Sequence, residues 1–411
     1  MVIEIRQLGP DDAEAAVEVT SAAFLERPDR AGVAALVREG WDPARSWLAW
    51  DGARACGTFR SFGTELTLPG LARVPAAAVA AVTVLPTHRR RGILTQLAGA
   101  EHRAALERGD MLAILYCSEF GIYGRYGYGP ATRFGTWTID VRSTRVVPAT
   151  GDEGTVEYAE PGQATKELIR DVFEAWRPTQ VSEIRRRDMG WEFRLGLRPE
   201  PWGDGWKGFL VLHRDAEGRV DGFLRFTATT KEHGQLPGTE IAVQELVGLD
   251  DTAETALWRF VTSMDLVAVV KAEGRPVADR LPWRVTNPRA ATLSNVSDGL
   301  WVRLLDVRAA LAARTYERDA SLVLEVVDPL DAGGTHRLLL DATAEGATCT
   351  PTDRSPDLTL PIAALGSVFL GAHDLRDVVI RTGVDEHTPG TLATAAAAFR
   401  TAREPWCSSF F

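Results

Sequence analysis

The 411-residue sequence lacks the features that mark secreted, membrane-spanning and metal-binding proteins. It has four cysteines, scattered without the spacing of a zinc site or a disulfide framework, and its seven histidines form no cluster. No apolar run approaches the length that spans a bilayer, and the first residues show no signal-peptide pattern. We therefore expect a cytoplasmic protein with no bound metal.

Positive charge is also in short supply. The 46 lysines and arginines are outnumbered by 56 acidic residues, so the net charge is −10 at pH 7. This balance argues against general nucleic-acid binding and weakly favours cationic substrates. Against this background the three consecutive arginines at 89–91 stand out as a local anion-binding site.

The length of the chain predicts more than one domain. A chain of 411 residues exceeds what one hydrophobic core usually serves, so we expect two or three domains. A hydrophobic content of 45% and a charged content of 25% are typical of a soluble globular protein.

The stretch 80–97 predicts a strand, a basic turn and a helix. Residues 80–84 form an apolar, β-branched run that Pro86 ends, Thr87 is placed to cap a helix, and apolar residues then repeat at helical spacing. The unpaired N–H groups at a helix start favour an anion, and Gly92 lets a phosphate approach the backbone. The Walker and dinucleotide fingerprints are absent. The alternative interpretation is a basic surface turn that only caps the helix.

Two motifs carry a resemblance to a known family. The turn Arg89–Leu94 (Arg-Arg-Arg-Gly-Ile-Leu) resembles the acetyl-CoA loop of GNAT N-acetyltransferases, although Leu94 departs from the small residue usual there. A second predicted strand, 111–116, leads to Ile122–Ala131, which closely resembles the Tyr-Gly-Arg-Phe-Gly-Tyr-Gly-Pro-Ala segment of the enhanced-intracellular-survival (Eis) acetyltransferases. The chain also ends in an aromatic residue, Phe411, as Eis proteins do.

The resemblance implies an α/β (mixed α+β) fold with tandem GNAT folds and a C-terminal domain similar to sterol carrier proteins. We predict a GNAT domain at 1–145, a degenerate GNAT-like domain at 146–294 and the sterol-carrier-type domain at 295–411. In the second unit the basic turn is replaced by Asp250 and Asp251, which would repel a pyrophosphate, so we do not expect that unit to bind CoA.

The resemblance also implies an acetyl-CoA-dependent N-acetyltransferase that acetylates amines of aminoglycoside-like polyamines or of lysine by direct transfer. The backbone of a splayed strand at Val82–Val84 would hold the thioester carbonyl. The pyrophosphate would be held by Arg89, Arg90 and the backbone near Gly92 and Ile93, and Ser118 would contact the pantetheine or the acetyl group.

Two residues are predicted to be catalytic. The resemblance points to Tyr123 as the general acid; the alternative is a tyrosine that only packs in a turn rich in tyrosine and glycine. It also points to the α-carboxylate of Phe411 as the base, returning to the active site. That group is a weak base and could act only if desolvated, relayed through water, or used to orient the ammonium. The alternative is a frayed tail, against which Trp406, Phe410 and Phe411 argue because an exposed aromatic terminus is unfavourable.

Three residues are predicted to contact the acceptor. Phe24 ends the first predicted helix and Glu26 lies in the loop after it, and in GNAT folds this helix and loop wall the acceptor pocket. The alternatives are a core phenylalanine and a surface glutamate. Phe410 occupies the penultimate position, where some family members carry an acidic residue, so polycationic acceptors should bind less well.

Other functions stay open at this point. The chain could be a lipid- or ligand-binding protein with a vestigial or regulatory acetyltransferase unit, or a scaffold in which neither site works. Family analogy implies a hexamer, so we expect a homo-oligomer that binds a small molecule or a lysine side chain, with neither a nucleic-acid partner nor a membrane span.

Overall fold

The structure is a computed structural model that describes residues 3–233, 236–330 and 334–411. Within these ranges no helix combines the length and the apolar character that crossing a membrane requires. Mixed strands and helices form three sheets. One hydrophobic cluster is shared by the first and third sheets, a second lies on the first sheet alone, and two more belong to the second sheet.

The N-terminal third of the chain consists of strands with helices between them. Its strands are β1 (Ile3–Gln7), β2 (Ser46–Asp51), β3 (Arg54–Thr67), β4 (Arg73–Val84), β5 (Leu112–Tyr116), β6 (Gly129–Pro130) and β7 (Arg133–Asp140). Its helices are α1 (Ala13–Phe24), α2 (Arg30–Gly40) and α3 (Ile93–Glu107). The predicted strand at 111–116 and the predicted helix at 13–24 are confirmed.

The middle third repeats this alternation. Its strands are β8 (Thr155–Ala159), β9 (Phe209–Arg214), β10 (Val220–His233), β11 (Leu236–Gly248) and β12 (Val267–Arg275). Its helices are α4 (Gln163–Trp176), α5 (Asp188–Arg194), α6 (Asp251–Thr262) and α7 (Leu281–Arg284).

The C-terminal part adds a smaller unit and a tail without regular structure. Its strands are β13 (Ala291–Asp298), β14 (Leu300–Leu304), β15 (Ala320–Val327), β16 (Thr335–Ala342), β17 (Ala347–Pro351), β18 (Leu358–Pro361) and β19 (Asp385–Glu386). Its helices are α8 (Val307–Ala313), α9 (Ile362–Val368), α10 (Leu375–Thr382) and α11 (Thr391–Phe399). From Arg400 to Phe411 the chain is extended or irregular.

The strand order of the sheets shows an exchange between distant parts of the chain. The first sheet runs β1-β2-β3-β4-β5-β14-β6, the second β13-β7-β12-β11-β10-β9-β8 and the third β17-β16-β15-β18-β19. Strand β7, from the predicted first domain, lies in the second sheet, and β14, from the predicted third domain, lies in the first. Sheet membership therefore differs from the predicted boundaries at these two strands. The bounds of the domains stay a prediction.

Packing of the C-terminal unit against the first sheet depends on two glycines. A Cβ on Gly129 would overlap the Ala363 carbonyl oxygen and the Ser367 side chain, and a Cβ on Gly366 would overlap the Val302 carbonyl oxygen. Helix α9 thus approaches β6 and β14 backbone to backbone, which only glycine permits at these positions.

Gly129→Ala is therefore expected to destabilise the protein by about 1–3 kcal/mol, because either α9 or β6 must shift to accept the methyl group. Chemical denaturation followed by circular dichroism measures the change. Gly124→Ala is the matched control, since a Cβ there has no neighbour within 4 Å, and it should change stability by no more than about 0.5 kcal/mol. Equal stability of the two variants would contradict the close approach.

Candidate active site

The two central strands of the first sheet separate along their length. β4 and β5 pair in parallel at only three positions, from Ala76 opposite Leu112 to Ala78 opposite Ile114. Ala81 then adopts a left-handed conformation with φ of 49°, and the register against β3 shifts at the same point. The Thr58 hydroxyl donates to the Ala81 carbonyl oxygen at 2.7 Å and holds this bulge.

The separation leaves a cleft whose wall is the backbone of β4 beyond the bulge. Val82 and Val84 lie there, half-buried, so the predicted strand and its splay are both present. Backbone N–H groups on an unpaired strand edge can bind a carbonyl oxygen, which suits a thioester.

The turn after β4 leaves a helix start without a side-chain cap. Gly92 is the N-cap of α3, with φ of 73°, and no side chain bonds the first N–H groups of the helix. The prediction that Thr87 caps the helix is wrong. Thr87 lies in a 3-10 turn at Pro86–His88, and its hydroxyl lies 2.8 Å from His88 Nδ1. The chain makes a left-handed step at Arg90 before the helix begins, which places Thr87 too early.

The basic residues of the turn divide into paired and unpaired groups. Arg91 Nη1 and His88 Nε2 lie 3.2 and 3.3 Å from the same Asp51 carboxylate oxygen. Arg89 and Arg90 are exposed, and the Arg89 Nε donates only to the Val84 carbonyl oxygen at 3.5 Å. Among the described residues no carboxylate pairs with these two arginines, so they and the uncapped start of α3 could bind an anion. Their role in holding the pyrophosphate stays a prediction.

Tyr123 lies beside the cleft. It begins a 3-10 turn at Tyr123–Tyr126, is buried, and belongs to the hydrophobic cluster that Val82, Val84 and Cys117 pack against. Burial raises the pKa of its phenol, and the neighbouring Cys117 adds to the effect. The hydroxyl therefore keeps its proton at neutral pH. Burial likewise raises the pKa of Cys117 to about 11, which makes this thiol a poor nucleophile. Ser118, predicted to contact the donor, is exposed after the end of β5.

The C-terminal tail is fixed by polar contacts. Glu183, fully buried, accepts hydrogen bonds from both the backbone N–H and the hydroxyl of Ser408 at 2.7 Å. Arg186 donates to the hydroxyls of Ser409 and Ser408 at 2.7 and 2.9 Å, and it also pairs with buried Glu245. A frayed tail is therefore the wrong interpretation.

The last two side chains enclose a tyrosine at the end of β5. The ring of Phe410 stacks on Tyr116 with centroids 3.8 Å apart, and Phe411 meets Tyr116 and Phe62 edge to face, each at 5.3 Å. Phe411 contacts Tyr116, and the next residue, Cys117, packs against the hydrophobic cluster that contains Tyr123.

The same tail lies against a second cleft. β11 and β12 pair from Thr239 to Val243 and then separate, and Trp406 donates from Nε1 to the Gly274 carbonyl oxygen at 2.7 Å. A cavity of about 440 Å³ there is lined by Trp406, Ser408 and Phe410. At the start of α6 the Asp250 carboxylate accepts from the Ala253 N–H at 2.8 Å. In the second unit the helix start is thus capped by the protein's own carboxylate, and the tail lines a cleft in which a cavity remains.

The predicted acceptor residues are exposed. Phe24 ends α1 with 48% of its surface accessible, so the alternative that it is a core residue is wrong. Glu26 is also exposed, in the connection to α2. Among the described residues no aromatic contact joins Phe24 to Phe410 or Phe411, and no group of side chains could hold a metal ion.

Sequence reasoning missed the residues that position the tail. Tyr116 ends β5, whereas Glu183 and Arg186 lie between α4 and α5. These residues come together around the tail only in the folded chain. The run Glu183–Arg187, which ends in three arginines, was the available signal. It stands out in an acidic chain much as the arginines at 89–91 do.

Comparison with known proteins identifies the three parts of the chain. Residues 4–131 and 183–308 each match an acetyltransferase (GNAT) domain family, and residues 307–408 match a sterol carrier protein domain family. An uncharacterized N-acetyltransferase of Streptomyces griseus is 38% identical, with all of both chains covered. N-acetyltransferase Eis of Mycobacterium tuberculosis is 34% identical, covering 83% of this chain and 80% of its own. The crystal structure of Eis1 from Mycobacterium abscessus superposes with a TM-score of 0.85 at 32% identity over the full length of both chains.

Replacing Arg89 and Arg90 together by alanine is expected to weaken CoA binding by about 10- to 100-fold, because charge-assisted contacts to the pyrophosphate are lost. Isothermal titration with CoA measures this. Arg91→Ala is the matched control from the same turn. Its guanidinium already pairs with Asp51, so the loss should stay below about threefold. Equal losses at all three arginines would contradict the division into paired and unpaired groups.

Proposed function

This chain belongs to the Eis family of GNAT N-acetyltransferases, and from that premise we propose that it transfers the acetyl group of acetyl-CoA directly to a primary amine. The observation that carries the proposal is the cleft between β4 and β5, which has an uncapped helix start at one end and Tyr123 beside it. The acceptor would be an aminoglycoside-like polyamine or a lysine side chain. The cytoplasmic location and the homo-oligomeric state of the protein stay predictions.

The donor would lie along β4. Arg89, Arg90 and the backbone near Gly92 and Ile93 would hold the pyrophosphate, and the exposed Ser118 would be available to the pantetheine. The N–H groups at Val82–Val84 would bind the carbonyl oxygen, where negative charge develops as the amine attacks. These donors are fixed before the reaction, so they need no reorganisation during it.

The transfer then requires three proton movements. As the amine nitrogen bonds the carbonyl carbon, the carbon–sulfur bond breaks and the departing thiolate takes the phenolic proton of Tyr123. The cleft that raises the pKa of Tyr123 by desolvation would make a thiolate formed there more basic as well, which keeps this transfer feasible. Before it attacks, the ammonium group of the acceptor would lose a proton to the carboxylate of Phe411, directly or through water. After the attack, the nitrogen would lose a second proton, which restores the phenol of Tyr123.

The terminal carboxylate suits this role because of where it is held. A carboxylate in water is a weak base, but one from which water is removed accepts a proton more readily. The rings of Phe62 and Tyr116 pack against the ring of Phe411, and Phe410 stacks on Tyr116, so these rings would exclude part of the solvent near the end of the chain. Phe24, Glu26 and Phe410 would contact the acceptor from their exposed positions.

Release of CoA from acetyl-CoA tests the proposal, with kanamycin, neomycin, spermidine and a lysine peptide as acceptors. We expect turnover with at least one of these amines. Tight CoA binding without turnover of any amine would favour a ligand-binding protein instead.

Tyr123→Phe is expected to lower kcat by about 10²- to 10⁴-fold with little change in the KM for acetyl-CoA, because only the proton donor is lost. Since burial raises the pKa of Tyr123, the neutral phenol persists to higher pH, and wild-type kcat should not fall up to about pH 9–10. Tyr126→Phe removes a neighbouring hydroxyl and should leave kcat within about twofold. A wild-type rate in Tyr123→Phe would refute the assignment.

Adding one glycine after Phe411 is expected to lower kcat by about 10- to 100-fold, because the carboxylate moves by about 3.5 Å while the side chains that dock the tail are kept. Glu183→Ala should lower kcat as well, and it should also speed hydrogen exchange of the Ser408 amide, which loses its acceptor. Steady-state kinetics and exchange mass spectrometry measure the two effects, with peptides from the third sheet as the internal control. An extended chain as active as wild type would remove the carboxylate from the mechanism.

A further inference from the structure

Two arginines lie near the ring of Phe62, which also contacts the ring of Phe411, and among the described residues neither has an acidic partner. Arg187 donates from Nη1 to the Gly40 carbonyl oxygen at 3.3 Å. Arg60 is on β3, opposite Ala80 of β4, and Arg187 precedes α5. Their guanidinium groups lie over aromatic rings, Arg187 at 4.2 Å and Arg60 at 5.9 Å from the ring centre of Phe62, with Arg60 also 5.1 Å from Trp41. In the part of the chain that the structure describes, neither guanidinium has a carboxylate within 4 Å. Arg186 next to them, by contrast, pairs with Glu245.

The surroundings of these cations are unfavourable for charge. Arg60 Nε is buried and has no hydrogen-bond partner among the described residues. Burial, together with the nearby Arg187 cation, lowers the pKa of Arg60 to about 9, and burial also lowers the pKa of Arg187. Contacts with aromatic faces recover only part of the hydration that a buried guanidinium gives up. An anion between the two side chains would satisfy both of them.

The position of Arg60 and Arg187 favours contact with the amine substrate and not with acetyl-CoA. The ring of Phe62 contacts both Arg187 and Phe411, with ring centroids 5.3 Å apart in the second contact. Arg60 lies on the strand next to β4, opposite the residue that precedes the Ala81 bulge. The pyrophosphate turn lies beyond the far end of β4, after Val84, and has its own free arginines.

We propose that Arg60 and Arg187 bind a carboxylate of the acceptor, so that the preferred substrate is a small primary amine that also carries a carboxylate. This inference rests on the proposed transfer of an acetyl group to a primary amine, and among primary amines it favours those with a carboxylate over the polyamines named above. A guanidinium binds a carboxylate through two parallel hydrogen bonds, which gives both affinity and orientation. With the carboxylate held beside Phe62, the amine end of the molecule is directed past Phe411 toward the cleft.

A matched pair of acceptors tests the proposal. 5-Aminopentanoate and pentylamine share the reacting amine and the chain of five carbons, and only the first has a carboxylate. We expect wild-type kcat/KM to favour 5-aminopentanoate by about 100-fold, and we expect this preference to fall to about twofold or less when Arg60 and Arg187 are both replaced by glutamine. Arg185→Gln, at an exposed arginine of the same run, is the control and should keep the full preference.

A binding measurement separates failure of the inference from failure of the proposed function. Titration with glutarate, which has carboxylates but no amine, should show saturable binding to wild type and to Arg185→Gln, and none to the double variant. If no amine is acetylated but glutarate binds in this pattern, the anion site stands and the proposed reaction fails. Equal kcat/KM for the two amines, or a preference that survives in the double variant, would overturn the inference. So would glutarate binding that is absent in wild type or unchanged in the double variant.

Two measurements and a second variant distinguish loss of the anion site from loss of folding in the glutamine variants. CoA affinity and the circular dichroism spectrum report whether each variant is folded. Arg60→Lys, combined with Arg187→Lys, keeps both charges but lacks the planar fork, and we expect it to keep about a tenth of the preference. Full preference in that variant would contradict recognition by paired hydrogen bonds.

Discussion

The separation of β4 from β5 is the constraint on which the rest of the site depends. Three residue pairs join the strands, and the left-handed Ala81 then turns β4 away. A non-glycine residue in this conformation costs of the order of 1 kcal/mol, which the Thr58 hydrogen bond helps to offset. β5 cannot follow β4 because its other edge pairs with β14 over five residues, from Leu112 to Tyr116. A strand from nearly 200 residues further along the chain thus helps to keep the cleft open.

The two GNAT units share a separating strand pair and a helix that follows it, but they differ in what lies at the start of that helix. Both sheets have a parallel pair that separates, and both have a helix that begins just past it. In the first unit the helix starts at Gly92, whose lack of a side chain leaves the N–H groups free. In the second it starts at Asp250, whose carboxylate takes the place an anion would occupy, and the tail at Trp406 enters the neighbouring cleft. The helix start of the first unit is thus left uncapped, whereas that of the second is capped by its own carboxylate and the tail lies along the neighbouring cleft.

Local parts of the site could be predicted from the sequence, because they depend on neighbours along the chain. The strand before Pro86, the basic turn and the position of Tyr123 belong to this group, although the left-handed step at Arg90 moved the helix start away from Thr87. The exchange of β7 and β14 could not be predicted, because an alternating apolar strand shows which face is buried but not which sheet receives it. The contacts of Glu183 with Ser408 join positions 225 residues apart, and no periodicity records such a pairing.

The net charge of the chain favours a cationic acceptor, whereas the local charge of Arg60 and Arg187 favours an acceptor with a carboxylate. We expect the local charge to have the larger effect on acceptor preference. A net charge of −10 attracts cations only at long range, and salt screens that attraction beyond about 8–10 Å. The guanidinium groups of Arg60 and Arg187 act at contact distance in a largely desolvated place, where an ion pair is much stronger than in water. The tail adds no nearby negative side chain of its own, since Ser408, Ser409, Phe410 and Phe411 are uncharged apart from the terminal carboxylate. Under this proposal an acceptor with one amine and one carboxylate is favoured, whereas a polycation would place positive charge against Arg60 and Arg187, which have no acidic partner among the described residues.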